Sequence, residues 1–327
     1  MSEWYCTVVE IGKVERHPNA DTLEITQVMG SYPVIFKEGS FKTGDKAVYI
    51  GWDSVVPDTE QFAFLKGKNR IKASKLRGIF SMGLLVPVPD LSWEPGQHVA
   101  GQMEITKYEP DDSSTTKGLS GPPPSNLHVP VYDLEGLRKY RNMLVEGEEI
   151  ILTEKIHGCN AKFVYSSIDR QLFVGSHRQW KREDDSNVWW KMAKKYNLEE
   201  KLKLFPDVVF FGEIYGDKIQ SLKYGCKSGE QLLAIFDVMQ NGKYLNYDDM
   251  VMIVRGEINL PVVPFLYRGP WSEDLLTIAE QNTKVPGSGE QISEGFVVRP
   301  VVERWNDTCG RTVLKYPSEN YLLSKDS

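Results

Sequence analysis

Cysteine is scarce in this sequence, and what there is lies scattered: Cys6, Cys159, Cys226 and Cys309, four in 327 residues, with no C-x-x-C pair. That spacing excludes a zinc ribbon and a disulfide framework and favours a reducing compartment. Histidine is almost as thin, with five in the chain and neither an H-x-E nor a paired-histidine spacing, so no protein-held zinc is expected. His17, His98 and His128 read as ordinary surface or turn residues. No apolar run approaches the length of a membrane span. The opening MSEWYCTVVEIG has neither the charged nor the apolar region of a signal peptide. A soluble intracellular protein of cytoplasm or nucleus, monomeric and without a membrane partner, is expected. Excess positive charge is missing as well: 39 Lys and Arg against 45 Asp and Glu give a net charge of −6. A wholly basic nucleic-acid coat is thereby excluded, but local patches are not. No internal repeat at solenoid spacing occurs.

What is present is an ordinary globular composition, 41% apolar and 26% charged, over a length that predicts two domains. Residues 5–9, 23–28, 34–36 and 47–50 are short apolar or alternating runs. They are broken by turn residues at His17-Pro18-Asn19, Gly30-Ser31, Gly39-Ser40 and Thr43-Gly44-Asp45. Short strands with frequent turns predict a small all-β barrel or sandwich. Residues 109–126, EPDDSSTTKGLSGPPPSN, hold few apolar side chains and read as a linker stiffened by prolines. The expected organisation is a β module over 1–108, a linker over 109–127 and a second domain over 128–327. In that domain residues 133–142 read as a helix capped by Asp133. Residues 145–154 read as extended, and 161–166 with 171–175 as a hairpin. Residues 188–204, 246–255 and 272–282 read as helices. The apolar runs 208–211, 232–238 and 295–298 read as buried strands. The pattern is α+β, around antiparallel sheets.

One segment carries chemistry: Thr153-Glu154-Lys155-Ile156-His157-Gly158-Cys159-Asn160, a strand ending at a glycine, which presents its last side chains to a cleft. A lysine there becomes a nucleophile only when cations or desolvation lower its pKa from roughly 10.4. Alone, the motif is an ordinary solvated lysine. Four further segments change its weight. Phe210-Phe211-Gly212-Glu213-Ile214-Tyr215-Gly216 and Ser293-Glu294-Gly295-Phe296-Val297-Val298-Arg299 each set a carboxylate beside glycine. Leu233-Ala234-Ile235-Phe236-Asp237-Val238 is an apolar strand with one aromatic, and Thr312-Val313-Leu314-Lys315-Tyr316 a strand with one lysine.

In this order the five segments resemble the nucleotidyltransferase motifs of DNA ligases, RNA ligases and mRNA capping enzymes. The K-x-H-G form, with Thr-Glu before it and Asn after, resembles the ATP-dependent RNA ligases related to the phage type 2 enzyme. The β module in front resembles the Deinococcus-type subgroup with an N-terminal OB domain. The resemblance implies an OB-like β-barrel followed by an ATP-grasp-like ligase adenylation domain. It implies ATP as cofactor, AMP carried covalently on Lys155, and Mg²⁺ or Mn²⁺ held by Glu213 and Glu294. It also implies nucleotide contacts from Glu154, Ile156 and Asn160, with Arg178 near the ribose, Phe236 stacked on adenine and Lys315 on a phosphate. The implied partner is RNA, or an RNA-containing duplex with 3′-hydroxyl and 5′-phosphate ends, sealed at nicks. Metal and Lys315 are expected to depress the pKa of Lys155.

The sequence departs from the family at the last motif, where Val313 replaces the first of two lysines and Arg311 need not point the same way. That departure keeps a catalytically impaired RNA-binding protein as one alternative; a DNA ligase or a guanylyltransferase of the same superfamily is the other. The last two usually carry their OB domain after the transferase domain. His157 stands where those two enzymes have aspartate. In bland terms, Phe236 is core and the glutamates cap turns. The front module, through His17-Pro18-Asn19-Ala20-Asp21 and Leu76-Arg77-Gly78-Ile79-Phe80-Ser81-Met82-Gly83, also resembles the OB-fold tRNA-binding modules of some aminoacyl-tRNA synthetases. Its basic run, Lys66, Lys68, Arg70, Lys72, Lys75 and Arg77 with no acid between, is a candidate phosphate-binding loop. Its bland reading is a solvated charged loop. Trp180 to Arg182 with Lys191 to Lys195 form a second candidate patch, or simply the lysine face of a helix.

Overall fold

In the computed structural model, which describes residues 4–108 and 119–324, the front module is built of short antiparallel strands. Lys46–Ile50 is central to one sheet, between Cys6–Glu10 and Leu84–Pro87. Glu15–Arg16, Leu23–Val28 and Tyr32–Lys37 form a second sheet. Two-stranded ladders join Ser54–Val55 to Thr106–Lys107, and Ser74–Leu76 to Ile79–Ser81. The central strand is covered on both faces. Ala47 and Tyr49 pack with Val9, Val34 and Phe36, while Val48 and Ile50 pack with Cys6, Val8 and Val86. A strand covered on both faces must be apolar nearly throughout, and Ala47 to Ile50 are. The second core is closed by Phe62, from the 3₁₀ helix Glu60–Leu65, and by Ile71, Val99 and Ile105 outside the strands, none of which alternation reveals. His17 is a turn residue but not a surface one. It is buried, its Nδ1 accepts from the Asn19 N–H at 3.0 Å, and its Nε2 lies 3.0 Å from the Leu76 carbonyl.

The second domain holds two large sheets and a two-stranded ladder of Trp305–Asn306 with Gly310–Arg311. One has the order Glu135–Gly136, Leu314–Pro317, Gly295–Pro300, Glu149–Glu154, Phe265–Pro270. The other runs Trp180–Lys181, Gln171–Ser176, Cys159–Ser166, Val209–Gly216, Gln231–Gln240, Lys243–Tyr244. All pairings are antiparallel except Glu135–Gly136 with Leu314–Pro317. The predicted α+β class, an all-β front module before a domain of antiparallel sheets, is what is found. The predicted hairpin of 161–166 and 171–175 also forms, with Ala161 opposite Ser176. The expected helix over 188–204 is two helices, Val188–Lys195 and Leu198–Leu202, capped by the Asn187 side chain on the Trp190 N–H and broken at Asn197, whose φ is 52°. Asparagine tolerates that left-handed conformation better than most residues.

The expected helix over 133–142 is absent. Glu135–Gly136 pairs as a strand, the Leu137 N–H donates to the Lys315 carbonyl at 2.9 Å, and only Arg141–Met143 makes a single 3₁₀ turn. Tertiary pairing overrides the local helix preference. The same strip reaches the front module. The Ser31 N–H and hydroxyl both donate to the Arg138 carbonyl, at 3.0 and 2.9 Å. The Arg138 guanidinium lies 4.2 Å over the Tyr316 ring and 5.7 Å from that of Phe80. Gly30 belongs to this contact: its φ is +91°, and a Cβ there would meet the Arg138 carbonyl at 2.6 Å. Of the predicted linker, residues 109–118 lie outside the described residues. The rest is no free spacer: the Gly121 N–H donates to Trp180 and the Arg182 N–H to Leu119, extending the edge of the six-stranded sheet. Its backbone finds partners that its composition does not advertise. Among the described residues no helix is long and apolar enough to cross a membrane.

Candidate active site

Strand Glu149–Glu154 pairs with Gly295–Pro300, and the pairing continues one residue further, where the Lys155 N–H donates to the Gly295 carbonyl at 3.0 Å. This register puts the Lys155 amine 2.7 Å from Glu294 Oε1. The chain then crosses to the other sheet, where strand Cys159–Ser166 sets Asn160 directly opposite Glu213. The lysine motif is therefore the joint between the two sheets, with Lys155 on one and Asn160 on the other. Gly158 makes the crossing fit: a Cβ there would stand 2.2 Å from the Ile214 carbonyl and 2.9 Å from Glu213 Cγ.

These residues open on a cavity of about 610 Å³, within the usual range for small-molecule sites. Lys155, Ile156, Asn160, Arg178, Glu213, Phe236 and Lys315 line it, as does Glu154. Glu294 touches it through Lys155. Phe236 owes its direction to a bulge. Phe211 pairs with Asp237 and Gly212 with Ile235, leaving Phe236 the extra residue; a bulge of this kind re-aims a side chain. Its ring meets that of Tyr132 at 4.8 Å. Behind them Asp237, fully buried, accepts from the Tyr132 hydroxyl and from Arg311 Nη1, both at 2.6 Å, with Arg299 Nη1 at 3.5 Å. Arg311 is thus committed to Asp237 and Glu303 and stacked 3.7 Å over Tyr244. It does not replace the lysine missing at Val313, which itself lines the cavity.

The electrostatics reverse one expectation. Burial works against the charged Lys155 amine, yet Glu294 and Glu213 outweigh it and hold the lysine above its ordinary range. Burial, opposed by Lys155 and reinforced by Glu294, pushes Glu213 up to about 8. The surrounding side chains stabilise the ammonium form; the depression expected of cations is absent from protein groups alone. Glu294 Oε2 is buried without a hydrogen-bond partner. No cluster of three or more His, Cys, Asp or Glu able to hold a metal occurs among the described residues. Two carboxylates with one oxygen unpaired fit a hard divalent ion that takes its other ligands from water and phosphates.

Other sequence expectations fall differently. Lys66, Lys68, Lys72, Lys75 and Arg77 are exposed, but Arg70 is half-buried on Asp53 at 2.5 Å, with its guanidinium 3.7 Å over Tyr108. In the second candidate patch Lys181 is buried, 4.7 Å over Trp189, and Lys194 pairs with Glu183 and Asp185. Lys181 and Lys194, two of that patch's five basic side chains, are thus claimed by neighbours. Cavity residues outside the sequence motifs include Lys107, Tyr132, Asp133, Gln220 and Val263. Arg299 ends the Ser293 to Arg299 segment but carries no assigned role there, although strand alternation from Val297 puts both on the cavity face. Lys107 has no local signal, because it arrives from the front module.

Fold and site together define a ligase domain behind an OB-fold module. Residues 5–88 match an OB-fold domain model, and residues 148–317, more than half of the chain, match the model of the RNA ligase family. The chain belongs to the RNA ligase family. Solved structures of Naegleria gruberi RNA ligase share the fold. A lysine-to-alanine variant with ATP and Mn superposes with a TM-score of 0.84 at 23% identity, covering 97% of this chain and 98% of that one. The complex with PPi gives 0.84 at 24% identity, covering 98% of both. A glutamate-to-alanine variant with AMP and Mn gives 0.82 at 24%, again covering 98% of both. No curated protein matches the chain.

Proposed function

We propose that this chain seals RNA ends with ATP, carrying AMP on Lys155, and that its substrate is a nicked duplex with a 3′-hydroxyl and a 5′-phosphate. One observation carries the reading: an amine held 2.7 Å from a buried carboxylate, at the joint of two sheets, beside a cavity with an aromatic wall. The N. gruberi enzyme, similar in fold, has been seen with ATP, AMP, PPi and Mn, which are the reactants, products and ion of such a reaction.

In this scheme Phe236 stacks on adenine, Arg178 meets the ribose, and Asn160 and Lys315 meet phosphate oxygens. A divalent ion on Glu213 and Glu294 would supply positive charge against those oxygens. The Lys155 amine, hydrogen-bonded to Glu294, must lose its proton to act, and positive charge nearby favours that loss. The lone pair of Lys155 forms the N–P bond, the bond from the α-phosphorus to the bridging oxygen breaks, and pyrophosphate leaves. AMP then passes to the 5′-phosphate end, and the 3′-hydroxyl displaces it to close the backbone. Lys66, Lys68, Lys72, Lys75 and Arg77 bind RNA phosphates. Their replacement by alanine lowers the slope of log affinity against log salt by roughly one for each phosphate no longer neutralised.

Mass spectrometry after incubation with ATP and Mg²⁺ tests the scheme. A gain of one AMP mapped to Lys155, absent in Lys155→Ala together with sealing, is expected. Label taken from GTP alone, or sealing that survives in Lys155→Ala, overturns it. Val313 in the cavity wall favours one rival, an RNA-binding protein that no longer seals; that rival predicts RNA binding with no AMP on the protein.

A further inference from the structure

Resemblance gives Glu154 a nucleotide contact, but the geometry gives its carboxylate another task. Glu154 is 2% exposed. Its Oε1 accepts from the Thr283 hydroxyl, with the Ser293 hydroxyl 3.5 Å away, and its Oε2 accepts from the Lys284 N–H at 2.7 Å. Glu154 borders the cavity, yet none of these three partners lines it. Its carboxylate therefore faces away from the nucleotide space, with both oxygens engaged.

What it holds is a closed loop. Asn282 and Ile292 form an isolated β-bridge, and the Thr283 N–H donates to the Gln291 carbonyl at 2.9 Å. Residues 282–292 thus begin and end at one place, and Glu154 grips that place through Thr283 and Lys284, while the Ser293 hydroxyl beside it lies 3.1 Å from the Gly295 carbonyl. From there the chain passes directly into Glu294. The Ser293 hydroxyl accepts from the Gly295 N–H at 3.0 Å, and the Gly295 carbonyl accepts from the Lys155 N–H. Hydrogen bonds and the chain itself thus link the Glu154 carboxylate, the loop neck, Glu294 and Gly295 to the backbone of Lys155, whose amine meets Glu294.

We propose that Glu154 is a positioning residue: it staples the neck of the 282–292 loop so that Glu294 meets Lys155, and the 6-amino group of adenine is read by other parts of the cavity wall. Its catalytic consequence rests on the lysyl-AMP reading above. Loss of the staple lets Glu294 drift, and an ångström of drift at a reacting centre is worth on the order of a hundredfold in rate.

The test compares wild type with Glu154→Gln, Glu154→Ala and Thr283→Val, the last removing one staple partner at a residue remote from the nucleotide. Single-turnover adenylation is measured with ATP and with purine riboside triphosphate, which lacks the 6-amino group. The expected result is an adenylation rate lower by about a hundredfold in Glu154→Ala, with preference for ATP over the analogue kept within about twofold. Thr283→Val falls in the same direction, and adding it to Glu154→Ala brings no further loss. Collapse of the ATP preference in either Glu154 variant, or an unchanged rate in Glu154→Ala, overturns the proposal. Amide exchange gives a readout independent of activity. Faster exchange confined to residues 282–293 in Glu154→Gln and Thr283→Val is expected, and unchanged exchange there refutes the staple. A wild type that takes up no AMP sinks the ligase reading, while exchange still judges the staple.

Discussion

Asp237→Asn is the sharpest test of how the base end of the cavity is held. The native cluster balances: Arg299 and Arg311 against Asp237 and Glu303, all largely buried. The substitution leaves two guanidinium groups on one carboxylate, in a place where Asp237 had no exposure at all. Removing one partner from a buried ion pair costs roughly 3–5 kcal/mol. Asparagine still offers an oxygen to the Tyr132 hydroxyl or to Arg311, so the low end, about 3 kcal/mol, is expected. For a domain of this size each kcal/mol moves the melting point by roughly 2–4 °C, which gives a drop of about 6–12 °C. Acid sharpens the test. Burial opposes ionisation of Asp237, but Arg299 and Arg311 outweigh it and hold its carboxyl below the ordinary range. Its contribution is therefore complete above the unfolded-state value of about 3.9 and fades as pH falls from there through the lower folded value. Urea titrations of wild type and variant, followed by circular dichroism at several pH values, measure both effects. A difference under about 1 kcal/mol at neutral pH, or one that stays constant as pH falls below about 4, refutes the reasoning.

Three further outcomes are expected. Phe236→Ala loses a stacking partner worth on the order of 1–3 kcal/mol and raises the KM for ATP in adenylation by roughly 5- to 150-fold; an unchanged KM removes Phe236 from the base site. Gly158→Ala drives a methyl into the Ile214 carbonyl and Glu213 Cγ, so single-turnover adenylation falls by about a hundredfold, and a normal rate means the joint is looser than described. Gly30→Val strains a left-handed position against the Arg138 carbonyl and costs roughly 1–3 kcal/mol, seen as faster proteolysis between front module and ligase domain; unchanged cleavage refutes the contact.

The sequence made the sheets legible where each strand's own alternation carries the signal. The 161–166 and 171–175 hairpin is of that kind. The lysine motif and its glutamates were reached through the resemblance carried by five ordered segments, and the structure brings Lys155 and Glu294 together at the ends of paired strands. Features set by a partner strand were not legible. The bulge at Phe236 exists only relative to Val209–Gly216, and residues 133–142 are helical in pattern yet give their hydrogen bonds to Lys315. Charge was misleading for the same reason. Arg70 and Lys181 count as basic residues in a run, but Asp53, Tyr108 and Trp189 claim them in space. Glu154 shows the limit of resemblance: the motif fixes its place in the chain, but not what its carboxylate grips.

The strip from Glu135 to Lys139 has two neighbours, and they are different machines. On one side it hydrogen-bonds the backbone of Lys315, and on the other it receives Ser31 from the front module. A shift of the OB barrel relative to the rest would therefore tug the same ribbon that supports a cavity lysine. A fragment beginning at residue 119 would bare the Arg138–Tyr316 stack to water along the side where Phe80 now sits. Swapping the barrel for another domain would succeed only if the new domain brings its own tight turn to dock on that ribbon.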